Sequence, residues 1–212
     1  MTNILILGAG GQIARHVVEQ LAGDKEIRQT LFLRSPRKLG RDLPMNATVV
    51  KGDVLNESQL SAAMAGQTLV YANLTGADLA EQADAVIAAM REAGVRRLVF
   101  VLALGIYDEV PGRFGAWNTA MIGEDLKPFR RAGDLIEASG LDYTIIRPAL
   151  LMDEDQIDYE VTARDQPFRG TVVSRRSVAD LIARIIASPD LHVRANLGVN
   201  KPNTDADKPY FM

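Results

Sequence analysis

Three groups of residues have the types and spacing to do chemistry. The first is Gly8-Ala9-Gly10-Gly11-Gln12-Ile13-Ala14, which follows the apolar stretch Ile4-Leu5-Ile6-Leu7 without a break. The second is Arg34-Ser35-Pro36-Arg37-Lys38, a cationic cluster carrying a hydroxyl, with no carboxylate between Gln29 and Lys38. The third is Tyr107, a phenol placed just beyond a later apolar run, Arg97 to Leu102. Glycines between a buried strand and a helix make a tight turn and let the backbone approach a pyrophosphate. They also leave helix N–H groups aimed at the negative charge. Gly8, Gly10 and Gly11, with the helix start at Gln12 and Ile13, are therefore the expected cradle for a dinucleotide. Ala14 stands where the usual pattern has its third glycine and is still small enough for close helix–strand packing.

The second group bears on which dinucleotide. The end of the second strand of such a unit lies beside the adenosine ribose. A carboxylate there accepts from the 2′-hydroxyl, whereas arginine binds a 2′-phosphate. Arg34 follows Gly11 at close to the expected spacing of about 20 residues. Arg34, Ser35 and Lys38 are thus the expected phosphate site, and NADP(H) is favoured over NAD(H). The plainer alternative for Arg37 and Lys38 is a solvated helix start. Asp53, closing the third strand in Gly52-Asp53-Val54, faces the adenine amino group on one reading, with Val54 packing on the ring. On the other reading it makes an Asx turn before a helix. Asn73 and Leu74, after the fourth strand, are expected to line the trough mostly through backbone.

These residues need a scaffold, and the periodicity supplies one. Strands are expected at Asn3–Leu7, Gln29–Leu33, Ala47–Lys51, Thr68–Ala72, Arg97–Leu102 and Tyr143–Ile146. Helices are expected after Gly11, at Ser58–Ala65 with Asn56 as N-cap, at Ala77–Ala93 stopped by Gly94, at Phe129–Ser139, and at Val178–Ala187. Alternating strands and helices imply right-handed βαβ crossovers and hence an α/β doubly wound parallel sheet in a single domain spanning residues 1–212. The segments Ile106–Asn118 and Leu151–Gly170 lack strong periodicity. Beyond the carboxyl ends of strands, such segments build a ligand crevice, so they are the expected substrate-side elements.

Composition narrows the classes further. With 24 basic against 27 acidic residues, the chain offers no electrostatic reason to bind nucleic acid or an anionic membrane. It contains no cysteine, which excludes disulfides, a thiolate nucleophile and a cysteine-ligated zinc. No apolar run approaches the roughly 20 residues needed to cross a bilayer, and no leader pattern opens the chain. A cytoplasmic protein, monomeric or homodimeric, is expected.

Together with Ser139-Gly140-Leu141-Asp142-Tyr143-Thr144-Ile145-Ile146-Arg147-Pro148 and Val173-Ser174-Arg175-Arg176-Ser177-Val178-Ala179, these motifs resemble the atypical short-chain dehydrogenases/reductases. The likeness is to the small NAD(P)-binding members near the NmrA-like proteins, biliverdin reductase B and the bacterial "NAD-dependent epimerase/dehydratase" chains. It runs from Thr2 to about Val199. It implies a seven-strand Rossmann sheet, the nicotinamide near the ends of strands four to six, and Pro148 and Ala149 on the nicotinamide side. Arg147 is implied only as a structural anchor.

The usual catalytic set of that family is a serine after the fifth strand plus Tyr-x-x-x-Lys, in which lysine lowers the phenol pKa. Here that strand end reads Leu102-Ala103-Leu104-Gly105-Ile106-Tyr107, Pro111 stands four residues after Tyr107, and no tyrosine lies between Asp108 and Asp142. Arg130 or Arg131 falls about where the lysine would sit, but arginine cannot tune a phenol by changing protonation. Tyr107 is either a proton donor on a mobile loop or an exposed loop tyrosine. Trp117 with Phe114 either covers a flat ligand or packs a lid. Asp153-Glu154-Asp155 reads as a solvated loop, and His16 and His192 as remote from the crevice. The resemblance therefore implies a specialised NADPH-dependent reductase without the Tyr/Lys pair, taking a small-molecule acceptor such as a flavin, tetrapyrrole or quinone. The alternative is a non-catalytic NADP(H) sensor. A sugar-nucleotide epimerase is a third reading, disfavoured because the chain lacks room for a sizeable substrate lobe.

Overall fold

The computed structural model describes residues 1–40 and 42–212. The first half alternates: β1 (Thr2–Leu7), α1 (Gln12–Gln20), β2 (Ile27–Leu33), a 3₁₀ turn (Pro36–Leu39), β3 (Ala47–Lys51), α2 (Glu57–Met64), β4 (Leu69–Ala72), α3 (Leu79–Ala93) and β5 (Arg97–Val101). Then come α4 (Gly112–Ile122), α5 (Leu126–Ala138), β6 (Asp142–Pro148), β7 (Leu150–Met152), β8 (Glu160–Ala163), β9 (Val172–Ser174), α6 (Arg175–Ala187) and β10 (Ala195–Asn200). The main sheet runs β3-β2-β1-β4-β5-β6-β10-β8. Its first seven strands in that order are parallel, and β8 closes the edge antiparallel to β10. β7 and β9 form a separate parallel pair. This is the doubly wound Rossmann arrangement, with one antiparallel strand added to the expected seven.

The unbroken apolar run of β1 is explained by burial on both faces. Ile4 and Ile6 enter the core shared with α1 and α6, while Leu5 and Leu7 enter the core shared with α2, α3 and α5. Local signals behave as their chemistry predicts. Asn56 Oδ1 accepts from the Gln59 N–H at 3.0 Å and caps α2. Gly94 ends α3 in the left-handed conformation at φ +70°. The differences lie in the second half. The segment expected to be aperiodic from Ile106 holds most of α4, and α5 begins at Leu126, three residues before Phe129. β8 lies inside the other aperiodic segment. It is too short, at Glu160-Val161-Thr162-Ala163, to show a pattern.

One buried ion pair holds the connection from β5 to α4. Glu109, with its side chain 5% exposed, accepts from the N–H groups of Gly105 and Tyr107 at 2.9 Å each, and pairs with the fully buried Arg147 of β6. Arg147 Nε also donates to Asn196 Oδ1 of β10 at 2.7 Å. Removing one partner of such a pair strands the other charge without solvent. Arg147→Met should therefore destabilise the fold by about 3–5 kcal/mol. Urea unfolding should show the double variant Arg147→Met/Glu109→Leu recovering much of the loss, and an unchanged midpoint for the single variant would contradict the pairing.

Candidate functional site

The carboxyl ends of β1 to β4 border a trough of about 480 Å³. Gly8 turns the chain at φ +73°, and a Cβ there would overlap the backbone carbonyl of Asn73 at the end of β4. A Cβ at Gly11 would overlap the Asn73 side-chain amide. Glycine is thus required at Gly8, where the clash is with backbone and φ is positive, while at Gly11 a side chain would have to displace the Asn73 amide. Gly11 is also the N-cap of α1 and supplies no side-chain acceptor. No side chain therefore caps the first N–H groups of α1, the position at which a helix N-terminus attracts an anion.

Across the turn, the Pro36–Leu39 segment brings its own residues to the rim. A Cβ on Gly10 would stand 3.0 Å from Lys38 Cβ and 3.2 Å from Leu33 Cδ1, so Lys38 lies directly over the glycine turn. Arg34, Ser35 and Lys38 are exposed and line the same mouth. Among the described residues, no salt bridge involves Arg34 or Lys38. Two cations without an acidic partner among the described residues thus share that lip with a hydroxyl.

The opposite wall, toward α2 and α3, is acidic and amidic. Asp53 and Val54 line it, and Asp53 Oδ1 accepts from the Leu55 N–H at 3.0 Å. The Asx turn and a place in the trough are therefore compatible for this residue. Asn73 and Leu74 line the trough between the two walls. Sequence reasoning missed several neighbours. Gly52 is needed because a Cβ would overlap the Phe32 ring, which forms part of the lining. Gln82 Nε2 donates to Asp78 Oδ1 at 2.7 Å and to the Thr75 carbonyl at 3.2 Å, fixing the start of α3 as a further wall. Gly76 at φ +131° was the available signal for that bend.

Other expected residues lie elsewhere. Gln12 is exposed at the helix start and Ile13 is 5% exposed, so any contact from Ile13 is through its backbone. Pro148 and Ala149 are buried and do not line the trough. Tyr107 is half-buried rather than exposed, in a polar cluster distinct from the trough. Its hydroxyl accepts from Asn196 Nδ2 at 3.1 Å and points at α5, where a Cβ on Gly133 would lie 2.5 Å away. Guanidinium groups of Arg164, Arg130 and Arg147 sit 4.1, 4.9 and 5.6 Å from its ring centre. Burial pushes the phenol pKa up and Glu137 adds to this, against the Asn196 hydrogen bond and Arg164, so the hydroxyl stays protonated at neutral pH. Arg130 does not act as a free cation. It donates to both oxygens of Asp134, at 2.9 and 3.0 Å, and to the Ile106 carbonyl at 3.2 Å. Arg131 is exposed. Phe114 and Trp117 stack with ring centres 5.9 Å apart. Asp153, Glu154 and Asp155 are paired with Arg175, Lys201 and Arg176. His16 and His192 lie outside the trough.

A glycine cradle, a polarised trough and a doubly wound sheet together define a dinucleotide-binding protein. The chain belongs to the NAD(P)H-binding family, whose model matches residues 8–189. A Rossmann-fold NAD(P)-binding family protein from Shigella flexneri is 57% identical over 100% of both chains, with a TM-score of 0.88. A short-chain dehydrogenase/reductase from Veillonella parvula, solved in complex with NADP, is 26% identical over 99% of each chain, with a TM-score of 0.88. ChuY, an anaerobilin reductase from Escherichia coli O157:H7, shares the fold at a TM-score of 0.78 and 22% identity, over 97% of this chain and 100% of its own. No described helix is long and apolar enough to cross a membrane.

The packing at Gly10 yields a direct test. Gly10→Val should displace Lys38 and fill the turn, abolishing nucleotide binding while the circular dichroism spectrum stays that of the folded protein. Undiminished binding would remove the glycine turn from the site.

Proposed function

We propose that this chain is an NADP(H)-dependent reductase that works without a Tyr/Lys pair. The observation that carries the cofactor choice is the lip formed by Arg34, Ser35 and Lys38, which holds unpaired cations and no carboxylate. A 2′-phosphate would meet charge-assisted donors there, while a 2′-hydroxyl would find no carboxylate to accept from it. The remaining assignments follow the two walls. Gly8, Gly10, Gly11 and the backbone at Gln12 and Ile13 hold the pyrophosphate, Asp53 and Val54 take the adenine, and Asn73 and Leu74 support the ribose. Pro148 and Ala149 back the nicotinamide side. When bound, NADPH supplies a hydride, and the residues of this chain orient the ring and exclude water around it.

The phenol of Tyr107 faces α5 and is held there by Asn196, so solvent is the better proton source. The acceptor is a flat conjugated molecule of the flavin, tetrapyrrole or quinone kind. The fold shared with an anaerobilin reductase supports that class; Phe114, buried in the core with Trp117 packed against it, serves packing. A non-catalytic NADP(H) sensor is the second reading, favoured by the absence of a Tyr-x-x-x-Lys pair after β5.

Arg34→Ala should weaken NADPH by about 1.5–3 kcal/mol and leave NADH nearly unchanged. Fluorescence titration reads both affinities, and equal weakening would place Arg34 outside the phosphate site. Steady NADPH consumption with FMN, biliverdin or menadione supports the reductase; none with any of them, alongside tight binding, supports the sensor.

A further inference from the structure

The trough spans the ends of β3, β2, β1 and β4, and the next strand in the sheet is β5. A dinucleotide that fills the trough with its adenosine half must therefore lay its other half across the end of β5. That end is apolar, Leu102-Ala103-Leu104, with no side chain able to hydrogen-bond a ligand. At Gly105, however, a residue of another element fills the gap. Gly105 turns at φ +83°, and a Cβ there would stand 2.6 Å from Nδ2 of Asn118 on α4. The missing side chain makes room for that amide. Asn118 is 2% exposed, and among the described residues its Oδ1 is buried without a hydrogen-bond partner.

A buried amide oxygen left unpaired costs about 1–3 kcal/mol. Asn118 Oδ1 is one of eight buried, unpartnered side-chain polar atoms among the described residues, and the one set beside the turn that follows β5. An orphaned acceptor calls for a donor. The donors at the nicotinamide end of the dinucleotide are the ribose hydroxyls and the carboxamide NH₂ on the ring itself.

Resting on the reading that the trough takes NADP(H), we infer that Asn118 anchors the nicotinamide carboxamide, its Oδ1 accepting from the carboxamide NH₂. Reaching a 2% exposed amide requires α4 to shift, pivoting beyond the buried Glu109–Arg147 pair that holds its connection to β5. The helix starts at Gly112 with φ +65°, has no side-chain cap, and ends at Gly123. Its exposed Arg113–Asp207 bridge to the C-terminal segment is worth little. Ring entry then lifts the helix that carries Phe114, Trp117 and Asn118, and the amide closes on the carboxamide.

The test compares three ligands on the wild-type protein and on Asn118→Leu. They are NADP⁺, its 3-acetylpyridine analogue, which keeps the ring carbonyl but lacks the NH₂, and adenosine 2′,5′-bisphosphate, which has no nicotinamide half. In the wild type the acetylpyridine analogue should bind roughly tenfold more weakly than NADP⁺, since one such hydrogen bond is worth about 1 kcal/mol or somewhat more. In Asn118→Leu the two should bind alike, and adenosine 2′,5′-bisphosphate should bind as it does to the wild type. Equal binding of NADP⁺ and the analogue by the wild type would overturn the inference even if the variant fails to fold. A variant that binds all three ligands as the wild type does and melts at a higher temperature would also overturn it, leaving Asn118 an internal packing defect. If adenosine 2′,5′-bisphosphate does not bind the wild type at all, the trough assignment falls, and this inference with it.

Discussion

The site depends on one steric constraint, the approach of the turn after β1 to the end of β4. Gly8 lies so close to the backbone of Asn73 that it has no room for a Cβ, and Gly11 lies against the Asn73 amide. That contact sets the depth of the trough, leaves the first N–H groups of α1 uncapped at its centre, and lets Lys38 fold over Gly10 from the neighbouring segment. The rest of the sheet serves to hold β1 and β4 side by side in register, Ile4 against Leu69 through Leu7 against Ala72. Burial on both faces makes that register rigid, because any slip would carry the apolar side chains of β1 out of both cores.

Charge then divides the trough. Arg34 and Lys38 stand on one lip without acidic partners, while Asp53 and the Gln82–Asp78 pair stand toward α2 and α3. A ligand with a phosphate near its ribose and an amino group on its base matches that polarity, and its reverse orientation would set phosphate against carboxylates. On the proposed reading, that polarity would select orientation as well as chemistry.

The first half of the chain was legible because its signals are local. An apolar strand, a glycine turn, Asn56 ahead of α2 and Gly94 after α3 each fix their own neighbourhood within a few residues. The arginine at the end of β2 could likewise be placed by spacing alone. What was not legible depends on residues distant in sequence. Gly52 looks like turn punctuation until Phe32 is seen beneath it, and Gly105 until Asn118 is seen above it. Tyr107 read as an exposed loop residue because nothing near it in the chain announces Asn196 or Arg164, which bury it from β10 and from beyond β8. α4 escaped notice because its amphipathic pattern is weak, Gly115 interrupts it, and Gly112 and Gly123 bound it.

The central claim is that the trough is built for a phosphorylated dinucleotide, and the direct measurement is a parallel titration of the wild-type protein with NADPH, NADP⁺, NADH and NAD⁺. The account predicts saturable, tight binding of the 2′-phosphorylated pair and at least tenfold weaker binding of the other two. Equal affinity for NADH and NADPH, or tighter binding of NADH, would contradict the role given to Arg34, Ser35 and Lys38.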